Sequence, residues 1–167
     1  MDVLNRLKHG ELTNADSIHF ADSLKCYTLR KHRTVYGGGG IMPDHFVPLD
    51  TTTYTNFHRQ LSARSFIINT NLRYVDANRK ALQKRFTDFN DFKQNYEFPQ
   101  EEIDRMVADA AKQNLKPKDD EELEKSLPRL KLQLKALVAR DLWDMSEYFA
   151  IINEESEIVK KGIEEIE

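Results

Sequence analysis

The side chains able to do chemistry in this 167-residue chain are few and scattered: five histidines, one cysteine, and serines with no turn to present them. His9, His19, His32, His45 and His58 never fall at i, i+4 or beside a carboxylate pair on a common helix face. Imidazoles spaced in this way do not converge on a metal ion, so no metal ligands are assigned. Ser17, Ser23 and Lys25 are the parts of a hydroxyl–amine pair, but no Gly-x-Ser turn lifts a hydroxyl for attack, and no catalytic residue is assigned. Cys26 is alone, which excludes an internal disulfide, and its place between Lys25 and Tyr27 reads as a small buried hydrophobe. Arg30-Lys31-His32-Arg33 and Arg79-Lys80 with Lys84-Arg85 could meet phosphates. Without interleaved aromatics, and with a net charge of −3, they read as a solvated turn and a solvated helix face, not a nucleic-acid surface.

The densest signal is backbone chemistry. Four of the six glycines form one run, Gly37-Gly38-Gly39-Gly40, framed by Arg33-Thr34-Val35-Tyr36 and by Ile41-Met42-Pro43-Asp44. A phosphate-cradling loop would end in Gly-Lys-Ser/Thr and open a helix. Here Pro43 biases Met42 toward extended geometry, so the run holds no nucleotide and no cofactor is expected. Flexible linkers are padded with serine. This run passes straight from Val35-Tyr36 into Ile41, which points to an ordered segment where backbone passes something that side chains would block.

His32-Arg33-Thr34-Val35-Tyr36-Gly37 and Gly39-Gly40-Ile41-Met42-Pro43-Asp44 resemble the end of the peptidase core in the carboxyl-terminal processing (tail-specific) serine peptidases. His32 stands where that family carries a glycine. Phe46-Val47-Pro48-Leu49-Asp50-Thr51-Thr52 and Lys135-Ala136-Leu137-Val138-Ala139-Arg140-Asp141-Leu142-Trp143 are similar to the C-terminal extension of one bacterial branch. The resemblance implies a Ser nucleophile with a Lys general base upstream of the glycine motif, and only 36 residues precede Gly37. The chain thus reads as the C-terminal piece of such a peptidase, its chemistry left out. Arg33, Val35, Tyr36, Gly37, Gly38, Gly39, Gly40, Ile41, Pro43 and Asp44 then form a structural motif, with Asp44 bracing the backbone that follows. The resemblance further implies an exported parent in the periplasm or cell envelope that takes polypeptide substrates through its core. A stand-alone helical interaction module, with the glycines as a hinge, is the alternative.

These residues need elements to position them, and the pattern gives α+β. Val3, Leu4 and Leu7 step at helical spacing up to Gly10, a helix stop. Leu24 to Leu29 alternates as a strand, Lys31-His32 turns, Arg33 to Tyr36 is the partner strand, and His45 to Leu49 is a third strand with Pro48 at an edge. From Thr51 the period becomes helical. Tyr54, Phe57, Leu61, Ile68, Leu72, Val75, Leu82 and Phe86 form one stripe, in one long helix or two nearly collinear ones, capped by Asp50 or the threonines. A short helix follows Thr87, and Pro99 opens another with Glu101 and Glu102 at its positive end. Beyond Lys116-Pro117-Lys118, Leu127, Leu130, Leu134, Leu137, Leu142, Met145, Phe149 and Ile152 line one side of a buried core helix, with a kink or new start at Pro128. Trp143 and Tyr148-Phe149 read as core anchors, and Asn153 to Ile166 continues as helix.

The expected division is residues 1–50, the end of a peptidase core, and 51–167, a helical extension. No segment reaches the ~18 apolar residues of a membrane span, and the N-terminus lacks the apolar centre of a secretory signal. Residues 1–50 are neutral, 51–100 carry +4 and 101–167 carry −7, so the middle and the tail can pair across a helix interface. Strands with open edges also make a homodimer possible.

Overall fold

The computed structural model describes residues 3–11, 13–14, 17–18, 22–37, 45–50 and 52–166. The chain is α+β: mostly helical, with one small antiparallel sheet. It divides into two compact units, Met1–Thr51 and Thr52–Glu167.

In the first unit, α1 (Val3–Lys8) stops at Gly10, whose φ of +77° only glycine adopts without strain. The Gly10 N–H bonds the Leu7 carbonyl at 3.1 Å, closing the helix end as the sequence indicates. A 3₁₀ turn, Asp22–Leu24, leads into β1 (Lys25–Tyr27), which pairs with β2 (Thr34–Tyr36) in the register Lys25↔Tyr36, Cys26↔Val35, Tyr27↔Thr34. Both strands are shorter than the alternation suggests. Thr28 begins the turn, accepting from the Arg33 N–H through its hydroxyl at 3.0 Å and donating its own N–H to the Arg33 carbonyl at 3.0 Å. Leu29, expected in the strand, lies in the turn and is 95% exposed. Residues 45–50 form no strand, contrary to expectation; Pro48 has no N–H to give a ladder.

The second unit is a helical assembly: α2 (Asn56–Ala63), α3 (Phe66–Arg85), α4 (Phe89–Asn95), α5 (Gln100–Lys112), α6 (Asp120–Leu142), α7 (Met145–Ile152) and α8 (Glu157–Glu164). Short polar side chains start most of them. Thr55, Asp88, Asp119, Asp144 and Ser156 each accept a backbone N–H of the first turn, satisfying donors that have no partner inside the helix. Thr55, not Asp50 or the earlier threonines, caps α2. Pro99 sits just before α5 as its N-cap residue, with Glu101 and Glu102 in the first turn.

Two apolar stripes divide, the first into the two helices that were one of the expected outcomes. The stripe from Tyr54 to Phe86 divides at Ser65, whose φ of +63° ends one helical path before α3 begins. The stripe from Leu127 to Ile152 divides at Trp143, and α7 returns along α6. The return is antiparallel: Glu155, just past α7, pairs with Arg129 at 2.7 Å, far back along α6 from the break. α6 runs through Pro128 as one helix, so of the expected kink or new start there, no new start is found. Past Ile152 the chain makes a 3₁₀ turn, Asn153–Glu155, before Ser156 restarts the helix as α8, whose Ile158 and Ile163 are more than half exposed.

The core joins Phe57 and Leu61 of α2, Ile67, Val75 and Leu82 of α3, Ile103 and Met106 of α5, and Leu130, Leu134 and Val138 of α6. At one end sits an aromatic cluster in which Phe92 stacks on Tyr96 at 4.4 Å and meets Phe86 and Trp143 edge-on at 5.3 and 5.2 Å. Trp143 is thus a core anchor, as expected. Phe149 is not: it is 51% exposed, because the break at Trp143 resets the phase of the helix that carries it. The basic middle and acidic tail do meet, Arg73 with Glu102 at 2.8 Å and Lys93 with Glu154 at 2.6 Å. At these exposures such pairs contribute little to stability.

Candidate functional site

In the first unit, the described part of the glycine motif is the β2 strand and its exit. Val35 pairs with Cys26 and Tyr36 with Lys25, and Arg33 closes the turn against Thr28. The Gly37 N–H bonds the Leu24 carbonyl at 2.8 Å, extending the ladder one step past the strand. A Cβ at Gly37 would meet that carbonyl at 3.8 Å, an ordinary contact, so close packing does not require glycine at this first position. Gly38, Gly39, Gly40, Ile41, Pro43 and Asp44 lie outside the described residues.

The ribbon is open on both faces. Cys26, read from sequence as buried, is exposed, and so are Tyr27 and Val35. A two-stranded ribbon has no second layer to cover alternate residues, so alternation alone cannot bury Cys26. The turn has one strained residue, His32, at φ +45°. A side chain in that region costs about 1–2 kcal/mol relative to glycine. A β-branched residue is worse there than histidine, so His32→Val should speed exchange of the Thr28 amide, while His32→Gly leaves it unchanged or slower. Equal exchange in both variants would mean the turn is not held in this geometry.

The second unit gathers polar side chains in three places. The first locks α2 to α6. Thr55 Oγ1 lies 2.6 Å from Ser126 Oγ, and Ser126 Oγ donates to the Glu122 carbonyl at 2.6 Å. The Glu122 carboxylate accepts the Phe57 N–H at 3.0 Å and the Lys118 N–H at 2.7 Å, and these two bonds hold its pKa below the ordinary carboxylate value. His58 Nε2 donates to Gln133 Oε1 at 2.8 Å, and the ring is only 2% exposed. Burial pulls the His58 pKa down, against the Gln133 bond that raises it, with Arg129 adding to the depression. A serine, a histidine and a glutamate thus sit together, but not as a nucleophilic relay. Ser126 is 1% exposed with its hydroxyl spent on backbone, and His58 bonds glutamine instead of the serine.

The second place ties α3 to the end of α6. Fully buried Asn71 donates through Nδ2 to Asp141 Oδ2 at 2.6 Å, while Arg140 holds Asp141 Oδ1 at 2.8 Å and Arg79 donates to the Asp141 carbonyl at 2.6 Å. The third is an open groove of about 300 Å³ between α3 and α5, floored by Phe66, Thr70 and Met106 and rimmed by Arg73, Asp109 and Lys112. Its charges are already matched. Lys112 holds Asp109 at 2.8 Å and its pKa below the ordinary value, and Arg73 is taken by Glu102. The groove presents no spare charge to a ligand.

Among the described residues, no group of three or more His, Cys, Asp or Glu is placed to hold a metal ion, and no helix is long and apolar enough to cross a membrane. Ser23 and Lys25 are exposed on the turn and strand that start the ribbon. Of the polar residues at the two locks, His58 is named in sequence among the histidines, Arg79 in a basic pair, and Arg140 and Asp141 in a resemblance stretch, none of them for these contacts. The one available signal is Asn71, a polar residue spaced four from Ile67 and four from Val75 on a buried stripe.

The second unit is, in class, a helical module held by buried polar locks. Residues 57–144 match the model of a family of unknown function, DUF8443, and the chain belongs to that family. No curated protein and no solved structure matches the chain.

Proposed function

We propose that this chain is the C-terminal part of a carboxyl-terminal processing serine endopeptidase, with a Ser–Lys dyad upstream, and that the helical unit is a structural and regulatory extension without catalytic residues. The observation that carries the reading is the ribbon. It is open on both faces, and it runs from a strained His32 through Arg33-Thr34-Val35-Tyr36 into the glycine run. Isolated two-stranded ribbons are marginal in water, so one with exposed Tyr27 and Val35 suits a strand pair taken from a larger sheet. The positive φ falls at the position where the resembled family carries glycine, the residue that backbone geometry favours. In this reading the parent is exported to the periplasm or cell envelope and cleaves polypeptides near their C-termini.

This chain by itself should then show no turnover of an unfolded polypeptide. The longer product of its gene should show turnover that is lost when the upstream serine is replaced by alanine. Turnover by the 167-residue chain, abolished by Ser17→Ala or Ser23→Ala, would overturn the reading. One observation favours the rival interaction module: the family match lies wholly inside the second unit, which carries its own core. A stop codon and a signal sequence immediately upstream in the gene would decide for that rival.

A further inference from the structure

α2 is held on α6 by three polar contacts, and one of them is a titratable ring in an unusual state. The acceptor at Gln133 is a carbonyl oxygen, so His58 carries its proton on Nε2 and leaves a bare lone pair on Nδ1. That atom is buried and has no hydrogen-bond partner. Buried polar atoms are nearly always paired, and an apolar residue of similar size would fill the site without leaving one orphaned.

We propose that His58 makes the docking of α2 on α6 acid-labile, so that a fall below neutral pH releases Asn56–Ala63 from the helical unit. A second proton can only go on Nδ1, which is buried and faces no hydrogen-bond acceptor of the protein. The charged groups around the ring do not rescue it. On α6, the Arg129 guanidinium acts against a positive ring; Glu122 is committed to the Phe57 and Lys118 N–H groups. Beyond α7, Glu155 is already paired with Arg129 at 2.7 Å. From the segment before α2, Tyr54 offers only its ring, 4.9 Å away at 65°. On α3, no charged group acts on the imidazole among the described residues. The ring can take its proton only by leaving, and with it go the Thr55–Ser126 and Phe57–Glu122 contacts that share the same short helix.

The sign follows from linkage. The folded pKa lies below the free value of 6.5, so the unfolded or undocked state binds more protons as pH falls through that value. Docking is at full strength above it and weakens below it, by up to tenfold per pH unit until the folded pKa is reached.

Amide exchange of the 167-residue chain at pH 7.5 and pH 5.0, corrected for intrinsic rates, tests this. Protection across Asn56–Ala63 should fall relative to Ile103–Ala110 of α5, by up to about thirtyfold over the pH units below 6.5. His58→Gln should remove that pH response. No differential loss in the wild type, or the same loss in His58→Gln, would overturn the proposal. The second result would point to Glu122. If His58→Gln does not fold, the His58 ring titration in the wild type decides by NMR, since a pKa at or above 6.5 contradicts a neutral, locked ring.

Discussion

Phe92→Ala should cost about 3–5 kcal/mol of unfolding free energy. Phe92 is fully buried, stacked on Tyr96 and edge-on to Phe86 and Trp143, so truncation removes the centre of a cluster contributed by α4 and by the ends of α3 and α6. The surrounding rings cannot collapse into the space, since each is fixed by its own backbone and Phe86 is also covered by the Arg85 guanidinium at 4.6 Å. Burial already holds the Tyr96 hydroxyl well above the ordinary phenol range. Opening the cluster should let it titrate closer to normal. Urea unfolding followed by fluorescence of Trp143, the chain's one tryptophan, reads the loss at once. A cost below about 1 kcal/mol would mean the cluster repacks and is not the anchor described.

Only part of the aromatic cluster was legible in the sequence, since no stripe or motif singles out Phe92 or Tyr96 at its centre. Trp143 stands out by type, and Phe86 falls on a helical stripe, so period and size alone place both inside. Leu72 illustrates the opposite outcome. It continues the stripe of Phe57 and Leu61 at regular spacing, yet it is 45% exposed, while Ile67 and Asn71 face the core. The left-handed Ser65 shifts the phase between α2 and α3, and no periodicity count detects a single residue with positive φ. The break at Trp143 misplaces Met145 and Phe149 in the same way: the stripe continues on paper while the chain turns back along α6. The third strand failed for a different reason. β-formers can occupy an extended segment, but a strand needs a partner, and partnership is not local. Least legible were the polar locks. Thr55, Ser126 and Glu122 look like a cap, a helix-interior serine and a first-turn acid, and their contacts span more than sixty residues of chain. What the polar residues do instead became visible only when α2 was laid on α6.

Asp141→Ala should be the most damaging single change among the polar contacts, at about 2–3 kcal/mol. The carboxylate accepts from Asn71, which has no solvent to turn to, and whose Oδ1 already lacks a partner. Removing Asp141 leaves both ends of a fully buried amide unpaired, and leaves Arg140 without the carboxylate it holds at 2.8 Å. The cost therefore comes from what remains behind, not from the bond itself. That distinction has a consequence in the double variant. Replacing both residues by leucine, Asn71→Leu with Asp141→Leu, removes the orphaned amide along with the carboxylate, leaves Arg140 unpaired as in the single variant, and adds apolar contact between α3 and α6. It should unfold at a higher urea concentration than Asp141→Ala, despite carrying two substitutions. The Arg79 bond to the backbone carbonyl of residue 141 survives in both and serves as a constant. If the losses simply add, with the double variant weaker than the single one, the amide and carboxylate act independently and the lock between α3 and α6 is not a unit. If the double variant recovers, the buried pair is retained at a cost in stability, and its role is to fix how the long α3 helix registers against the end of α6.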